Sequence, residues 1–241
     1  MEEFVGITAP LYNKLMQSGK NILIAGTTGS GKSTMLDGIV NSILYKNSAD
    51  HQLVLIDLKR VTLGKYRNTA HCLGFTKKDS DAELLLDGLR RVIDKRLDDM
   101  DERAIDLWDG ATIHLVIDEM AELMLNDKEV ANRLQSICQI GRAAGIQVIC
   151  ATQCPLATVI PTRIKVNFPI VVGLHTVSAR QSRNILEVSG CEGLRMPDKK
   201  KNISGEALIL YPPFEIERVT IPKIPDDYLE KIIELNKRVT V

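Results

Sequence analysis

The sequence predicts an α/β fold: one doubly wound, mostly parallel sheet, extended by a short β segment and finished by a C-terminal helix. Three observations predict it. Five apolar, β-rich runs recur along the 241 residues, at 21–25, 52–57, 113–118, 146–151 and 168–174, each continuous rather than alternating. Strands covered by helices on both faces read this way, since neither face meets water. Helix-period segments at 32–45, 80–101 and 128–144 stand between them. The resulting order, β-α-β-α-β-α-β-β, is that of parallel strands joined by right-handed crossovers.

Each element carries its own signals. The run NILIA (21–25) leads through a glycine-rich turn into the helix at 32–45. Ser80-Asp81-Ala82-Glu83 has the spacing of a capping box and is expected to open the second helix, and Gly145 is expected to close the third. Beyond about residue 205 the pattern shortens to strands at 206–210 and 214–221, broken by Pro212-Pro213, then a helix at 225–237. This tail is expected to pair along a sheet edge and pack back on the core. No repeat or low-complexity linker divides the chain, so 1–241 reads as one domain.

Composition removes several function classes. Hydrophobic residues make up 44%, enough for a sizeable core, yet no apolar run approaches the roughly 20 residues that cross a bilayer. The acidic N-terminus MEEFVGITAP is unlike a secretory leader, so the expected compartment is the cytoplasm, with no membrane insertion by this chain. Five cysteines (Cys72, Cys138, Cys150, Cys154, Cys191) form no CxxC pair and sit mostly in apolar stretches, as reduced buried thiols do. The scattered histidines, His51, His71, His114 and His175, read as packing or surface groups rather than metal ligands. Lysine plus arginine balances aspartate plus glutamate, 31 against 31, so any polyanion surface must come from local clustering. The clearest basic run, 195–201 (RMPDKKK), reads by itself as a solvated loop.

The chemistry concentrates at residues 26–33, GTTGSGKS, a complete phosphate-binding loop between an apolar strand and a helix. Gly26, Gly29 and Gly31 let the backbone curl so that successive amides point at one centre, with Thr27, Thr28 and Ser30 between them and Thr34 in the following turn. The helix starting at Lys32 turns its positive dipole end to the same anion. Lys32 is expected to bridge the β- and γ-phosphates of ATP, and Ser33 to offer its hydroxyl to Mg²⁺. A second acidic strand end should complete such a site. IHLVIDE (113–119) supplies Asp118 as the Mg²⁺ partner and Glu119, one residue further, as the group that orients or deprotonates the attacking water. Gln153, just past QVICAT, has the position of a sensor for the γ-phosphate. Neither an Asn-Lys-x-Asp guanine reader nor a Leu-Ser-Gly-Gly-Gln transporter signature is present.

In order and spacing, AGTTGSGKS (25–33), LIDLK (55–59), VIDEMAELM (116–124), GRAAGIQVICATQ (141–153), IKVNFP (164–169) and QSRNIL (181–186) resemble the motor domain of the FtsK/SpoIIIE family of DNA translocases. The resemblance covers roughly residues 20–190. It implies a RecA-like fold, a homo-oligomeric, hexameric ring with ATP between subunits, and double-stranded DNA gripped through its phosphates without base reading. Arg142 corresponds to the trans-acting arginine that reaches a neighbouring subunit's γ-phosphate. Lys165 and Arg183 match basic pore-loop residues, with Arg163 and Arg180 beside them. Two departures stand out: Cys154 occupies the usual arginine position after Ala-Thr-Gln, and the chain reads as the motor domain alone, without membrane anchor, preceding α-domain or winged helix. The competing readings are a type VII secretion-like ATPase module moving protein cargo, and a nucleotide-dependent assembly platform, against which Glu119 argues.

Overall fold

A computed structural model describes residues 10–16, 18–46, 49–126, 128–153, 160–198 and 200–238. Its centre is an eight-stranded sheet in the order β3-β2-β4-β5-β1-β6-β7-β8. These strands are β1 (Ile22–Ala25), β2 (His51–Asp57), β3 (Cys72–Thr76), β4 (Thr112–Asp118), β5 (Ile146–Thr152), β6 (Ile170–Gly173), β7 (Glu206–Tyr211) and β8 (Glu215–Thr220). The first six run parallel, and β7 and β8 add an antiparallel hairpin beside β6.

Side chains alternate across the parallel strands, so each strand feeds two cores. Leu23, Val54, Ile56, Leu115, Ile117 and Val148 pack on one face with α3 (Asp79–Glu102) and α5 (Lys128–Ile140). Ile22, Ile24, Leu53, Leu55, Val116 and Ile149 pack on the other with α1 (10–16) and α2 (Lys32–Tyr45). The continuous apolar runs of the sequence therefore split evenly between the two faces, as double coverage requires. The tail pairs on the β6 edge and returns through α8 (Asp226–Leu235), whose Ile232 joins the second core.

Several boundaries differ from expectation. Strand β3 went unread because its short run CLGFT sits at the sheet edge with Leu73 53% exposed, leaving little apolar pattern. Helix α3 begins at Asp79 behind Lys78, which makes no side-chain cap bond, so Ser80 lies inside the helix and its hydroxyl donates to Asp81 at 3.2 Å. The Thr76 hydroxyl, bonded to Lys78 N at 3.0 Å, shapes the entry instead. Helix α5 ends at Ile140, before the expected 144: the Gly141 amide still donates to Ile137 O at 2.8 Å, but Gly141 O then accepts from Ile146 N, closing a turn. Gly145, at φ +71, ends this turn rather than the helix. Short helices α4 (Met120–Asn126), α6 (Thr162–Lys165) and α7 (Ala179–Leu186) complete the chain.

Parallel pairing aligns the strand ends. Ala25 is paired with Thr152 and Gly173, and Asp118 with Asp57 and Ala151. The carboxyl ends of β1, β2, β4 and β5 thus lie along one sheet edge, where ligands of such folds bind.

Candidate active site

The phosphate loop begins at this edge. Gly26 is obligatory for packing: a Cβ there would lie 2.6 Å from Leu174 Cβ and 2.7 Å from Ser30 Oγ. Gly29 and Gly31 adopt φ +77 and +106, where any other residue is strained, and Gly31 caps α2. The loop is anchored from the neighbouring strands, with Gly26 N donating to Thr152 O at 3.3 Å and Thr27 N to His175 O at 3.0 Å. The Ser30 hydroxyl is buried without a partner among the described residues.

Lys32 is 7% exposed and folds back so that Nζ donates to the Gly26 and Thr27 carbonyls, both at 2.7 Å. Burial pushes its ammonium down to about 8, opposed by the carboxylates of Glu119 and Asp118 and assisted by the cation of Lys59. A buried cation at a helix N-terminus, surrounded by glycine backbone, is suited to pairing with an anion.

Asp118 ends β4 at 7% exposure. Burial raises its pKa, the Thr62 hydroxyl opposes that by hydrogen bonding, and the charges of Asp57 and Glu119 reinforce it. The Thr62 hydroxyl is also hydrogen-bonded to Ser33 Oγ at 3.1 Å, so one threonine bridges the two side chains expected to hold the cation. Carboxylate and hydroxyl oxygens are the donor set that Mg²⁺ takes, and both face the loop that would carry the phosphates.

Glu119 is 5% exposed and adopts φ +79, a left-handed conformation that strains a glutamate. Its surroundings hold it there. Its amide donates to Ala151 O at 3.1 Å; its Oε1 accepts from the Thr152 hydroxyl and Gln153 N, both at 2.9 Å; its Oε2 accepts from Lys59 Nζ at 2.6 Å. Gln153 Oε1 in turn accepts from the Thr28 hydroxyl at 2.8 Å, joining the end of β5 to the phosphate loop. The phosphate loop, Gln153 and Glu119 form one connected network.

Asp57, Lys59, Thr62 and Thr152, all at this site, had no role assigned from the sequence. Asp57, fully buried, accepts from the amides of Val61, Thr62, Leu63 and Gly64 at 3.3, 3.1, 2.8 and 3.3 Å. It thereby shapes the loop that carries Lys59 and Thr62. LIDLK held the clue, an acid ending a buried strand as Asp118 does, but only the paired register puts the two side by side.

The remaining residues lie elsewhere. Arg142 is exposed in the turn before β5, while Gln153 follows its other end. A strand of seven residues at about 3.3 Å each separates them, so Arg142 sits at the opposite sheet edge from its own phosphate loop. Arg163 on α6 is exposed, and Lys165 is half-buried, its Nζ donating to Asn184 O of α7 at 2.8 Å. Burial lowers the Lys165 pKa. Arg180 and Arg183 share the exposed face of α7, three residues apart, opposite buried Ser182, Ile185 and Leu186. Cys154 lies outside the described residues.

Beside the phosphate loop opens a cavity of about 460 Å³, lined by Thr28, Gly29, Gly31, Lys32, Ser33, Thr34 and Gln153, and on its far side by residues of the tail. The run 195–201 is thus more than a solvated loop, because Pro197 forms part of this wall.

Among the described residues, no helix is long and apolar enough to cross a membrane. Residues 3–109 match the FtsK/SpoIIIE family model. The chain is similar to the DNA translocase FtsK of Staphylococcus epidermidis, 36% identical over 200 residues that make up 72% of this chain and 25% of that protein. It therefore spans about a quarter of the length of this curated relative. Among solved structures it resembles the pCW3 conjugation coupling protein TcpA in a monomer form with ATPγS, at 26% identity and a TM-score of 0.75, covering 91% of this chain and 65% of that one. The fold also matches the cytoplasmic domain of the Thermomonospora curvata type VII secretion ATPase EccC, at 19% identity and a TM-score of 0.73, covering 90% of this chain and 28% of that one. With the phosphate loop, the paired acids and the strand-end glutamine assembled on one sheet edge, the chain belongs to the FtsK/SpoIIIE family of P-loop ATPases.

Proposed function

We propose that this chain is the ATP-hydrolysing motor of a ring that moves along double-stranded DNA without reading its bases. One observation carries the reading: Lys32, Ser33, Asp118, Glu119 and Gln153 converge on one sheet edge, whereas Arg142 stands at the other, so one chain holds an active site short of its arginine. A heterologous ring interface would bring the Arg142 edge of one copy to the nucleotide edge of the next. The translocase relative and the conjugation coupling protein support DNA as the track.

In this mechanism the amides of residues 26–33 and the charged Lys32 hold the triphosphate. Ser33 and Asp118 would hold Mg²⁺, which would supply neutralisation of phosphate charge. Glu119 orients the attacking water and takes its proton, and Gln153 passes the state of the γ-phosphate from the phosphate loop to the chain after β5. Arg142 of a neighbouring copy supplies the planar cation for transition-state charge. Arg163, Arg180 and Arg183 contact DNA phosphates, while Lys165 holds α6 against α7 and so positions them.

The test is the ATPase rate with and without long double-stranded DNA, at several salt concentrations. Strong stimulation that fades with salt is expected, with Arg180→Ala and Arg183→Ala each lowering the salt slope by about one and leaving basal hydrolysis intact. The protein-cargo reading draws support from the balanced net charge and from an apolar groove of about 320 Å³ between α6, α7 and the β7–β8 turn, with Phe214 82% exposed on its rim. No DNA response at low salt would favour it.

A further inference from the structure

The turn that carries Arg142, residues 141–145, is held by groups from outside it. Besides Arg142 it consists of two alanines between two glycines, whose side chains are too short to fasten it. Trp108, in the segment after α3, donates from its backbone N to Ala143 O at 2.9 Å. Arg96 on α3 donates from Nη1 to Ala144 O at 2.8 Å and to Gly145 O at 3.3 Å. Gly145 O also accepts from Ile113 N of β4 at 2.9 Å.

The two bracing side chains are fixed on each other. The Arg96 guanidinium lies over the Trp108 ring, 4.6 Å from its centroid, and the indole Nε1 donates to Ala111 O at 3.3 Å. Glycines let the ring approach: a Cβ on Gly145 would lie 2.5 Å from Trp108 Cδ1 and 3.1 Å from Arg96 Nη1, and one on Gly110 2.9 Å from the ring. Arg103 pairs with Asp99 at 3.0 Å and with Asp109, tying this segment to the end of α3. The carbonyls of Ala143, Ala144 and Gly145 are thus engaged from α3, from β4 and from the segment between them, while Arg142 is exposed.

We infer that Arg96 and Trp108 are positioning residues for Arg142, holding the backbone from which its guanidinium reaches the nucleotide of a neighbouring copy. This rests on the reading that Arg142 acts between copies. A long exposed side chain loses rotamer freedom when it docks, and a base that also moved would add to that loss and misplace the planar cation. Misplacing a group that stabilises transition-state charge by about 1 Å costs as much as a hundredfold in rate. The brace acts at the amino end of β5, whereas the phosphate loop meets its carboxyl end. Loosening the brace should therefore spare nucleotide binding by the same copy.

Arg96→Met in the full chain tests this, because it keeps an apolar stem beside Trp108 and removes both bonds to the turn. It should lower kcat for ATP hydrolysis by about tenfold, leave ATP affinity within about twofold, and add no further loss to Arg142→Ala. Trp108→Phe, which loses only the indole N–H, should lower kcat by about threefold in the same pattern. Retained ATP affinity also reports that these variants fold. In assemblies shown by mass to contain both chains, Arg96→Met should recover activity with Glu119→Gln, which supplies a well-held arginine. With Arg142→Ala, which supplies none, it should show no activity above the average of the two. An unchanged kcat, a further loss in the Arg142→Ala background, recovery with Arg142→Ala, or a fall in ATP affinity matching the fall in kcat would overturn the assignment. If Arg142→Ala and Glu119→Gln fail to recover together while Arg96→Met still adds nothing to Arg142→Ala, the brace stands and the reading of Arg142 between copies falls.

Discussion

Lys59 Nζ lies 2.6 Å from Glu119 Oε2, pairing a lysine one third exposed with a glutamate that is almost wholly buried. With Thr152 and Gln153 N on the other carboxylate oxygen, both oxygens of Glu119 are engaged. A carboxylate so engaged is a poor acceptor for a water proton, so in the proposed mechanism Lys59 would restrain Glu119. Lys59→Met should therefore raise DNA-independent ATP hydrolysis by about threefold to tenfold and shrink the stimulation by DNA. A fall in steady-state rate towards that of Glu119→Gln would instead show that Lys59 positions the glutamate.

Glu119→Gln should lower kcat by about a hundredfold or more while leaving nucleotide affinity within a few fold, since the amide keeps the shape but loses the base. Single-turnover hydrolysis with equilibrium ATP binding separates the two. A matching loss of affinity would place Glu119 in binding rather than in chemistry.

Nucleotide affinity should depend on the protonation of Lys32. Its ammonium loses its proton near pH 8 in the free protein, because burial disfavours the charge. Bound phosphate favours the charged form, so binding takes up a proton once the pH exceeds about 8. Affinity should be level below that value and then fall by up to about tenfold per pH unit above it. Proton uptake measured calorimetrically in buffers of different ionisation enthalpy checks the sign, and Lys32→Met should abolish the dependence.

Arg142 and Glu119 should complement each other between copies. Arg142→Ala and Glu119→Gln are each expected to be nearly inactive alone. Mixed together, an Arg142→Ala chain contributes an intact nucleotide edge to an interface whose arginine comes from a Glu119→Gln chain. Random mixing restores about a quarter of the interfaces, and activity should follow. No recovery, in assemblies shown by mass to contain both chains, would place the arginine's role within its own subunit.

Acid should destabilise the chain through His114. The hydrogen bonds run one way: Lys46 Nζ to His51 Nε2 at 3.4 Å, His51 Nδ1 to His114 Nε2 at 3.0 Å, His114 Nδ1 to Gln147 Oε1 at 2.9 Å, and Gln147 Nε2 to Lys20 O at 2.7 Å. This direction assigns His114 the neutral tautomer with its proton on Nδ1, since the amide oxygen of Gln147 can only accept. A second proton would set His114 against the His51 N–H. Burial first, then His51, pushes the His114 pKa down to about 3. The folded state thus binds the proton less readily than the unfolded chain, so stability is full above about pH 6.5 and drains as the pH falls towards 3. Denaturant unfolding should show a loss of about 2 kcal/mol between pH 7.5 and 5, and His114→Asn should flatten much of that slope.

The sequence by itself determined the doubly wound sheet, the phosphate loop, Asp118 and Glu119, because these are local matters. A run apolar at every position must be covered on both faces, and a GxxxxGKS loop is defined by the backbone freedom of its glycines and the charge of its lysine within a few residues. Tertiary structure decided everything that depended on register and return of the chain. LIDLK resembled the family without a reason for its lysine until strand pairing brought Asp57 beside Asp118 and Lys59 onto Glu119, some sixty positions away in the chain. The capping box at Ser80 failed because a competing local bond at Thr76 set the helix start one residue earlier, and the Lys165 ammonium, matched from the sequence to a basic pore-loop residue, is bonded to the backbone of α7. Pro197, within a run hydrophilic by composition, became part of the wall of the cavity beside the phosphate loop because β7 and β8 return the tail to the side of the sheet where β1 ends, and no periodicity within the run encodes that meeting.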